Sequence, residues 1–230
     1  MALWREHVVP RLTDVMLGTG EVRGHRERVI TGLQGEMVEI GFGSGLNVPL
    51  YPAEVQTVYA VDPSEVGRKL ATRRLDASRV PIRFVGLDGQ DLPLDDESVD
   101  AALSTFTLCT IPDVEAALRE LHRVLRPGGA VHALEHGLAP DRRVAAWQHR
   151  LDGLQGRFAA GCHLVRDAPA LLAAAGYAPR LRPLPKPISS TRPVRPAQTC
   201  HRSRMTGGVD RVRSAQRGTT RSDHQPTHPT

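Results

Sequence analysis

MVEIGFGSGLN, residues 37–47, is the stretch that decides the fold of this chain. Its first four residues predict a short buried strand, and glycines then occupy every second position. Glycine lets the backbone turn sharply and lets a ligand lie against bare main chain. Residues 46–50 are expected to open a helix whose amides face the same ligand. A strand, a glycine-rich turn and a helix are typical of the nucleotide end of an α/β domain.

The glycine spacing indicates which nucleotide is bound. A dinucleotide site needs its third glycine three positions after the second, but Leu46 stands there and the third glycine comes early, at Gly45. The acid Glu39 precedes the first glycine by two residues, and the pattern Glu-x-Gly-x-Gly-x-Gly resembles the first motif of class I S-adenosylmethionine-dependent methyltransferases. The α-amino group of a methionine-bearing ligand suits a nearby carboxylate. A glycine turn with no ligand is the alternative.

Two further acids stand where predicted strands end. Asp62 follows the strand 56–61, about 20 residues past the first glycine, where an acid grips ribose hydroxyls. Dehydrogenases share such an acid, and a helix-capping Asp is the alternative. Asp88 follows the strand 82–85 and can accept the exocyclic amine of adenine, with the Gly89 amide beside it. A plain Asp-Gly turn would look the same.

Strand and helix patterns alternate along the rest of the chain. Periodicity predicts an amphipathic N-terminal helix packed on the domain, and a helix over residues 141–158 with Trp147 and Leu151 facing inward. The alternation predicts an open, mostly parallel, doubly wound α/β sheet. Further helices are expected over residues 65–76, 113–125 and 168–175, and further strands over 101–106, 130–136 and 177–184.

Several residue pairs carry a closer family resemblance over about residues 35–187. They are similar to the methyltransferase type 11 domain shared with ubiquinone/menaquinone C-methyltransferases. They resemble even more closely the methyltransferase-like alkyl thiol S-methyltransferases. The elements concerned are Leu108-Cys109, the run LRELHRVLRPGG at 118–129, Glu135-His136, Trp147-Gln148 and Gly161-Cys162.

This resemblance implies S-adenosylmethionine as cofactor and assigns roles to particular positions. His136, at the end of its strand, is the candidate base or substrate contact, with a purely structural strand end as the alternative. Cys109 is interpreted as core packing, and Cys162 with His163 has no further ligand at metal-binding spacing, so no metal site is predicted. The implied cofactor contacts are Glu39, Gly41, Gly43, Gly45 and Asn47 for the methionine part, Asp62 for the ribose, Asp88 and Gly89 for the adenine, and Thr105 and Phe106 near the methyl group.

Composition narrows the class of protein. No apolar run reaches the ~18 residues of a membrane span, and no signal peptide is evident. Three cysteines without paired spacing predict reduced thiols in the cytoplasm. Residues 180–230 hold 11 of the 30 Lys and Arg residues but 2 of the 25 acidic ones. The basic character therefore belongs to the tail, and no nucleic-acid partner is expected for the folded part.

The chain is expected to divide into three parts: N-terminal helices over 1–34, a methyltransferase domain over 35–187 and a basic tail over 188–230. The family normally adds a last antiparallel strand between the fifth and sixth strands. The tail is rich in Arg, Ser, Thr, Pro and Gly and has no aromatic residue. Such a composition predicts disorder, so the sheet is expected to lack that last strand.

The predicted function is methyl transfer from S-adenosylmethionine to a small molecule, with a thiol as the suggested acceptor. Four alternatives remain open: a non-catalytic binder of the same cofactor, a C- or O-methyltransferase of a quinone or lipid precursor, a nicotinamide dehydrogenase and a nucleic-acid methyltransferase. Leu46 disfavours the dehydrogenase, and the scarcity of aromatic residues disfavours stacking on bases.

Overall fold

A computed structural model of the chain describes residues 3–139, 141–181 and 198–202, which form one seven-stranded sheet. The strands are β1 (Gly35–Ile40), β2 (Val55–Val61), β3 (Ile82–Gly86), β4 (Val99–Thr105), β5 (Leu125–Leu134), β6 (Tyr177–Leu181) and β7 (Gln198–Arg202). Their order in the sheet is β3-β2-β1-β4-β5-β7-β6. The first five strands are parallel, and β7 runs antiparallel to both its neighbours.

Helices cover both faces of the sheet, which confirms the doubly wound α/β fold. The helices are α1 (Val9–Leu17), preceded by a π-helical turn (Trp4–Val8), α2 (Gly20–Val29), α3 (Glu65–Asp76), α4 (Val114–Val124), α5 (Arg142–Phe158) and α6 (Ala168–Ala174). On one face α4 and α6 pack on Val38, and on the other α2 packs around Met37. Val38 and Met37 point to opposite faces because successive strand residues alternate.

The structure corrects the expectation that the last antiparallel strand is missing. β7 takes that place, with Val131 of β5 opposite Cys200 and Ala178 of β6 opposite His201. A five-residue strand that pairs on both edges is held by backbone hydrogen bonds. The polar composition of the tail therefore does not exclude a strand at residues 198–202. The rest of the tail predicted to be disordered, residues 188–197 and 203–230, lies outside the described residues.

The stretch after β1 also departs from the prediction. In the described residues 41–54, the expected helix over 46–50 is a single 3-10 turn, Val48–Leu50. Pro49 lies within that turn and Pro52 follows it closely, and proline provides no amide to continue a helix. A ligand at this turn would therefore meet glycine main chain and side chains, with no long helix behind them.

Two apolar helix faces lie in solvent, contrary to the prediction. Trp147 and Leu151 of α5 are 59% and 43% exposed, and Val15 of α1 is 73% exposed. Helical periodicity shows that such residues share a face, but it cannot show whether that face is covered. The predicted inward orientation of Trp147 and Leu151 is wrong. Across the described residues, the helices are all too short or too polar to cross a membrane.

Candidate functional site

The predicted site residues meet at one edge of the sheet. Parallel strands end at the same edge, and ligands of such sheets bind beyond their carboxyl ends. Asp62 follows β2, Asp88 lies beyond β3, and Thr105 is the last residue of β4. His136 lies just beyond β5. With the glycine turn that leaves β1, the structure brings residues from five adjacent strands to this edge.

The glycine turn requires glycine at each of its three predicted positions. The φ angles of Gly41, Gly43 and Gly45 are 72°, 55° and 72°, a region that other residues rarely adopt. A Cβ at Gly41 would overlap the side chain of Thr107. A Cβ at Gly43 would meet only the Gly41 carbonyl oxygen, at 4.0 Å. The turn therefore presents open main chain at Gly43, as a bound nucleoside requires.

Behind this turn lies a set of polar side chains, all buried except the partly buried Tyr51, which we call the donor-end network: Arg26, Glu39, Asn47, Tyr51 and Thr105. Asn47 donates to a Glu39 carboxylate oxygen at 2.8 Å, and the Tyr51 hydroxyl donates to the other. One Arg26 nitrogen donates to Asn47 Oδ1 at 2.9 Å and to Thr105 Oγ1 at 2.8 Å. The network thus joins α2, β1, β4 and the glycine turn.

Burial dominates the electrostatics of this network. Desolvation raises the pKa of Glu39 to about 7, although hydrogen bonds from Tyr51 and Asn47 oppose the shift. Desolvation also lowers the pKa of Arg26, against the attraction of Glu39. Glu39 is 1% exposed, and both its oxygens accept hydrogen bonds from the protein. Its position suits it to hold Asn47 and Tyr51 behind the turn.

Arg26 was missed in the sequence analysis, although a signal was available. It lies at helical spacing between Val22 and Val29, and all three are buried. A basic residue at i+4 in an apolar i, i+4, i+7 row lies on the core-facing side of the helix. Such a residue needs a buried polar partner, and the acid of the glycine motif was the available candidate.

Asp62 links the turn to the second strand. Its two oxygens accept from the Gly43 and Ser64 amides, each at 2.7 Å. Desolvation raises the pKa of Asp62, while these two amides oppose the shift. Each carboxylate oxygen can accept a second hydrogen bond, and Asp62 is only partly buried. Asp62 can therefore receive ribose hydroxyls while it holds the turn.

Asp88 and Gly89 lie in the loop after β3. The Asp88 carboxylate is exposed and accepts from the Gln90 amide at 2.9 Å and from the Gln90 side chain at 2.8 Å. Gln90 in turn accepts from the Asp113 amide at 2.8 Å. A Cβ at Gly89 would contact Ile40 at 3.5 Å, so this loop lies against the end of β1 and beside the turn.

The backbone after β4 is strained and tied to β5. Phe106 has a φ of 57°, which is uncommon for a bulky residue and is found most often at functional sites. Its amide donates to Leu134 at 2.7 Å. Glu135 accepts from the Thr107 and Leu108 amides at 2.9 and 3.0 Å, and burial raises its pKa. Glu135 therefore fixes the segment that leads to Cys109.

A second polar group, which we call the thiol–imidazole cluster, comprises Cys109, His136 and Cys162. His136 Nε2 lies 3.0 Å from Cys162 Sγ, and the two sulfurs are 3.7 Å apart. All three potential ligand atoms lie within 4.8 Å of one another. Contact with the Cys109 thiol, and next with His136, holds the pKa of Cys162 well below that of an ordinary thiol. Linear spacing could not show this grouping.

The loop that presents Cys162 is docked on the segment that presents Cys109. The His163 amide donates to the Cys109 carbonyl at 2.9 Å. Arg166 donates to the carbonyls of Leu108 and Ile111 at 2.6 and 2.5 Å. These bonds hold the two sulfurs close together before any ligand arrives.

Parts of the chain are similar in sequence to known methyltransferases. Residues 38–133 match a family described as a methyltransferase domain. The chain is 32% identical over 158 residues to the human thiol S-methyltransferase TMT1A, an alignment that covers 66% of this chain and 64% of that protein. It is 34% identical over 132 residues to the demethylmenaquinone methyltransferase of Clavibacter sepedonicus, covering 56% and 54% of the two chains.

A solved structure agrees at the level of the fold. An S-adenosylmethionine-dependent methyltransferase from Thermotoga maritima superposes with a TM-score of 0.59 at 22% identity, covering 88% of this chain and 99% of that one. The chain spans 55% to 64% of the length of the thiol S-methyltransferases that it matches. Residues 38–133 thus match a methyltransferase domain, and the solved structure shows that the chain shares the fold of such an enzyme.

Proposed function

We propose that the protein transfers a methyl group from S-adenosylmethionine to a small acceptor molecule, and that this acceptor is a thiol. The observation that carries the proposal is the open glycine turn, backed by a buried polar network, in a chain with a methyltransferase domain. The three positive-φ glycines and the two Asp62 contacts suit a nucleoside with an amino-acid arm.

The described residues fit this cofactor. Gly41, Gly43 and Gly45 supply bare main chain for the methionine part, and Asp62 has acceptor capacity for the ribose. The cofactor, when bound, supplies an electrophilic methyl group on a sulfonium sulfur. The other roles in the proposal are Asn47 at the methionine part, held by Glu39, Asp88 with Gly89 at the adenine, and Thr105 with Phe106 beside the methyl group.

The acceptor side supports a thiol substrate. The protein's main task is to align the nucleophile, and alignment can supply roughly 7–11 kcal/mol of a barrier. An acceptor thiol with a pKa of ~8.5 needs little help to ionise. His136 lies past β5, with a ring nitrogen within 4.8 Å of the Cys109 sulfur, where we expect it to accept the thiol proton or contact the acceptor. Relatives named as thiol S-methyltransferases favour this acceptor class.

A second candidate function is methylation at carbon or oxygen of a quinone or lipid precursor. It is favoured by the 34% identity to a demethylmenaquinone methyltransferase. It is also favoured by 34% identity over 131 residues to the phthiotriol/phenolphthiotriol dimycocerosates methyltransferases of Mycobacterium tuberculosis. A non-catalytic binder of the cofactor would share the donor-end network but would methylate none of these acceptors.

A methyl-transfer screen separates these functions. Purified protein would be offered alkyl thiols, phenols and quinone precursors, with S-adenosylhomocysteine formation as the readout. We expect turnover with thiols. Turnover with quinone precursors alone would favour the second candidate, and binding without any turnover would favour the non-catalytic one.

His136→Ala tests the acceptor side within that screen. We expect it to lower turnover by about 100-fold, the lower end of what a proton-transfer group contributes, and to leave S-adenosylhomocysteine affinity nearly unchanged. Wild-type turnover in the variant would show that His136 is only structural.

Location and partners follow from the same chemistry. We propose a cytoplasmic enzyme, because Cys109 and Cys162 are unbridged thiols in the described structure although their sulfurs are close. A small-molecule acceptor is the expected partner, and the folded domain is not expected to bind nucleic acid.

A further inference from the structure

The thiol–imidazole cluster has the composition of a metal site. Two cysteines and one histidine come from three separate segments, after β4, after β5 and after α5. Thiolate and imidazole ligands select Zn²⁺ over Ca²⁺ or Mg²⁺, which prefer oxygen. Catalytic zinc sites use three protein ligands, among them the Cys2His set, and keep the fourth position open.

The separation of the two sulfurs in the cluster agrees with tetrahedral zinc. Zn–S bonds of about 2.3 Å place two ligand sulfurs roughly 3.8 Å apart in a tetrahedron. The sulfurs of Cys109 and Cys162 are 3.7 Å apart, so they already span that edge. The corresponding S···N edge is about 3.5 Å, whereas His136 Nε2 lies 3.0 Å from Cys162 Sγ. His136 would withdraw by about half an ångström, a movement that side-chain rotation provides.

The surroundings hold the sulfurs in place and leave one side accessible. The Cys109 carbonyl accepts from the His163 amide, and Arg166 fixes the carbonyls on either side of Cys109. Cys109 is 3% exposed, while His136 and Cys162 are only half-buried. The cluster therefore opens toward solvent on the side of His136 and Cys162.

We propose that Cys109, His136 and Cys162 bind one Zn²⁺ ion, and that its fourth position takes the sulfur of the acceptor thiol. The first half of this proposal is independent of the proposed function, and the second half rests on it. The site lies on the edge of the sheet that carries the glycine turn, because Cys109 follows Thr107, the residue that packs against Gly41.

The protons and charges balance at this site. Zinc binding converts both thiols to thiolates and releases their protons to solvent. An acceptor thiol loses its S–H proton to solvent as its sulfur bonds to zinc. That thiolate sulfur then provides the electron pair of the new S–CH3 bond, and the electrons of the broken C–S bond stay on the donor sulfur. The neutral thioether product is a weaker ligand and leaves. Here His136 acts as a metal ligand and no longer as a base.

Metal titration tests the first half. Reduced protein, prepared with a phosphine and a chelator and then freed of both, is titrated with Co²⁺ and Zn²⁺. We expect one ion per chain, with the charge-transfer and d–d absorption of a tetrahedral cobalt–thiolate site that Zn²⁺ abolishes. Cys109→Ala, Cys162→Ala and His136→Ala should each weaken binding by at least about 100-fold, because even outer-shell partners contribute 10–100-fold.

Cys200→Ala is the matched control for the loss of a thiol. The backbone of Cys200 lies opposite Val131 of β5. Val131 precedes His136 by five residues, which corresponds to about 16 Å along a strand. This variant should bind metal like the wild type. Equal binding by all four variants, or no binding by reduced wild type that melts cooperatively, would overturn the metal site. Recovery of the chain only as a Cys109–Cys162 disulfide that takes no metal after reduction would do the same.

A thiol probe tests the second half. Addition of 2-mercaptoethanol to the cobalt-loaded protein should shift the d–d bands and add thiolate-to-cobalt absorption, whereas ethylene glycol should do neither. An unchanged spectrum with the thiol would overturn the open fourth position. S-Adenosylhomocysteine binding, measured separately in chelator, keeps the two proposals apart. Cofactor binding without metal binding overturns the zinc site and leaves the proposed function standing. Metal binding without cofactor binding overturns the proposed function, and with it the role of zinc in binding the acceptor thiol, but leaves the metal site standing.

Discussion

The donor-end network and the thiol–imidazole cluster lie on the same edge of the sheet but are built differently. In the network, Glu39 is 1% exposed and Arg26 is 4% exposed, and their hydrogen bonds join four elements. In the cluster, His136 and Cys162 are half-buried and lie on loops beyond β5 and α5. We therefore expect the first region to contribute to folding as well as to the proposed binding, and the second to contribute little to folding. Mutations in the network should therefore change the free energy of unfolding, whereas mutations in the cluster should leave it nearly unchanged.

The largest effect is expected for Arg26→Leu. This change removes the buried donor to Asn47 Oδ1 and Thr105 Oγ1, and hydrogen bonds from charged groups contribute about 1.5–3 kcal/mol each. We expect the free energy of unfolding to fall by about 3 kcal/mol in urea denaturation. Arg23→Leu is the control in the same helix, because its ion pair with Glu27 is exposed and should change stability by less than about 1 kcal/mol. Equal losses of stability in the two variants would contradict a stabilising role for the buried contacts of Arg26.

The pH dependence of stability tests the acid of the same network. Burial raises the folded-state pKa of Glu39 from 4.5 to about 7, so between these values the folded state binds more protons than the unfolded state. Stability therefore falls as pH rises through this window, by on the order of 3 kcal/mol. Glu39→Gln has no proton to lose. Its stability relative to wild type should rise by that amount from pH 4.5 to 7.5, as measured by urea denaturation. Parallel pH profiles would show that Glu39 does not titrate in this range.

Asp62→Ala should affect ligand binding more than folding. It removes the acceptor proposed for the ribose and leaves the Gly43 and Ser64 amides without their partner. We expect S-adenosylhomocysteine binding to weaken by about 1–3 kcal/mol in calorimetric titration. Asp76→Ala, an exposed change at the end of α3, is the control. Tight NADH binding with no response to S-adenosylhomocysteine would refute the cofactor assignment.

The smallest effect on folding is expected in the cluster. Cys162→Ala removes a half-buried thiol whose surroundings are held by the His163 amide and by the Arg166 side chain. We expect the free energy of unfolding of the reduced, metal-free protein to change by less than about 1 kcal/mol. A loss of 2 kcal/mol or more would place the cluster with the donor-end network as part of the folding core.

These differences explain how much of the molecule could be predicted. The glycine turn and Asp62 can be predicted from local spacing, because turn geometry and strand ends are local properties. The doubly wound, mostly parallel sheet follows from the alternation of strands and helices. Arg26 and Cys162 come from distant segments, and only the folded sheet brings them to the edge. Helical spacing indicates that Arg26 is buried, but the particular contacts of Arg26 and Cys162 depend on packing, which the linear pattern does not contain.

Two errors have a similar physical origin. The exposure of Trp147 depends on what covers α5, and periodicity carries no information about that. The composition of the tail predicts no strand β7, yet pairing on both edges stabilises a short polar strand without an apolar run. Composition describes how a segment behaves alone, whereas a central strand is stabilised by its neighbours.

The place of β7 in the sheet has a consequence for biosynthesis. Ribosomes synthesise the chain from its N-terminus at about 5–20 residues per second. Leu134 ends β5, and the strand that covers its edge starts only at Gln198. The edge of β5 that later pairs with β7 therefore stays unpaired for roughly 3–13 s while the intervening chain is synthesised. An uncovered edge can pair with strands of other chains. Slow translation or crowded polysomes should thus harm the yield of this protein more than that of a protein whose strands pair in the order of their synthesis.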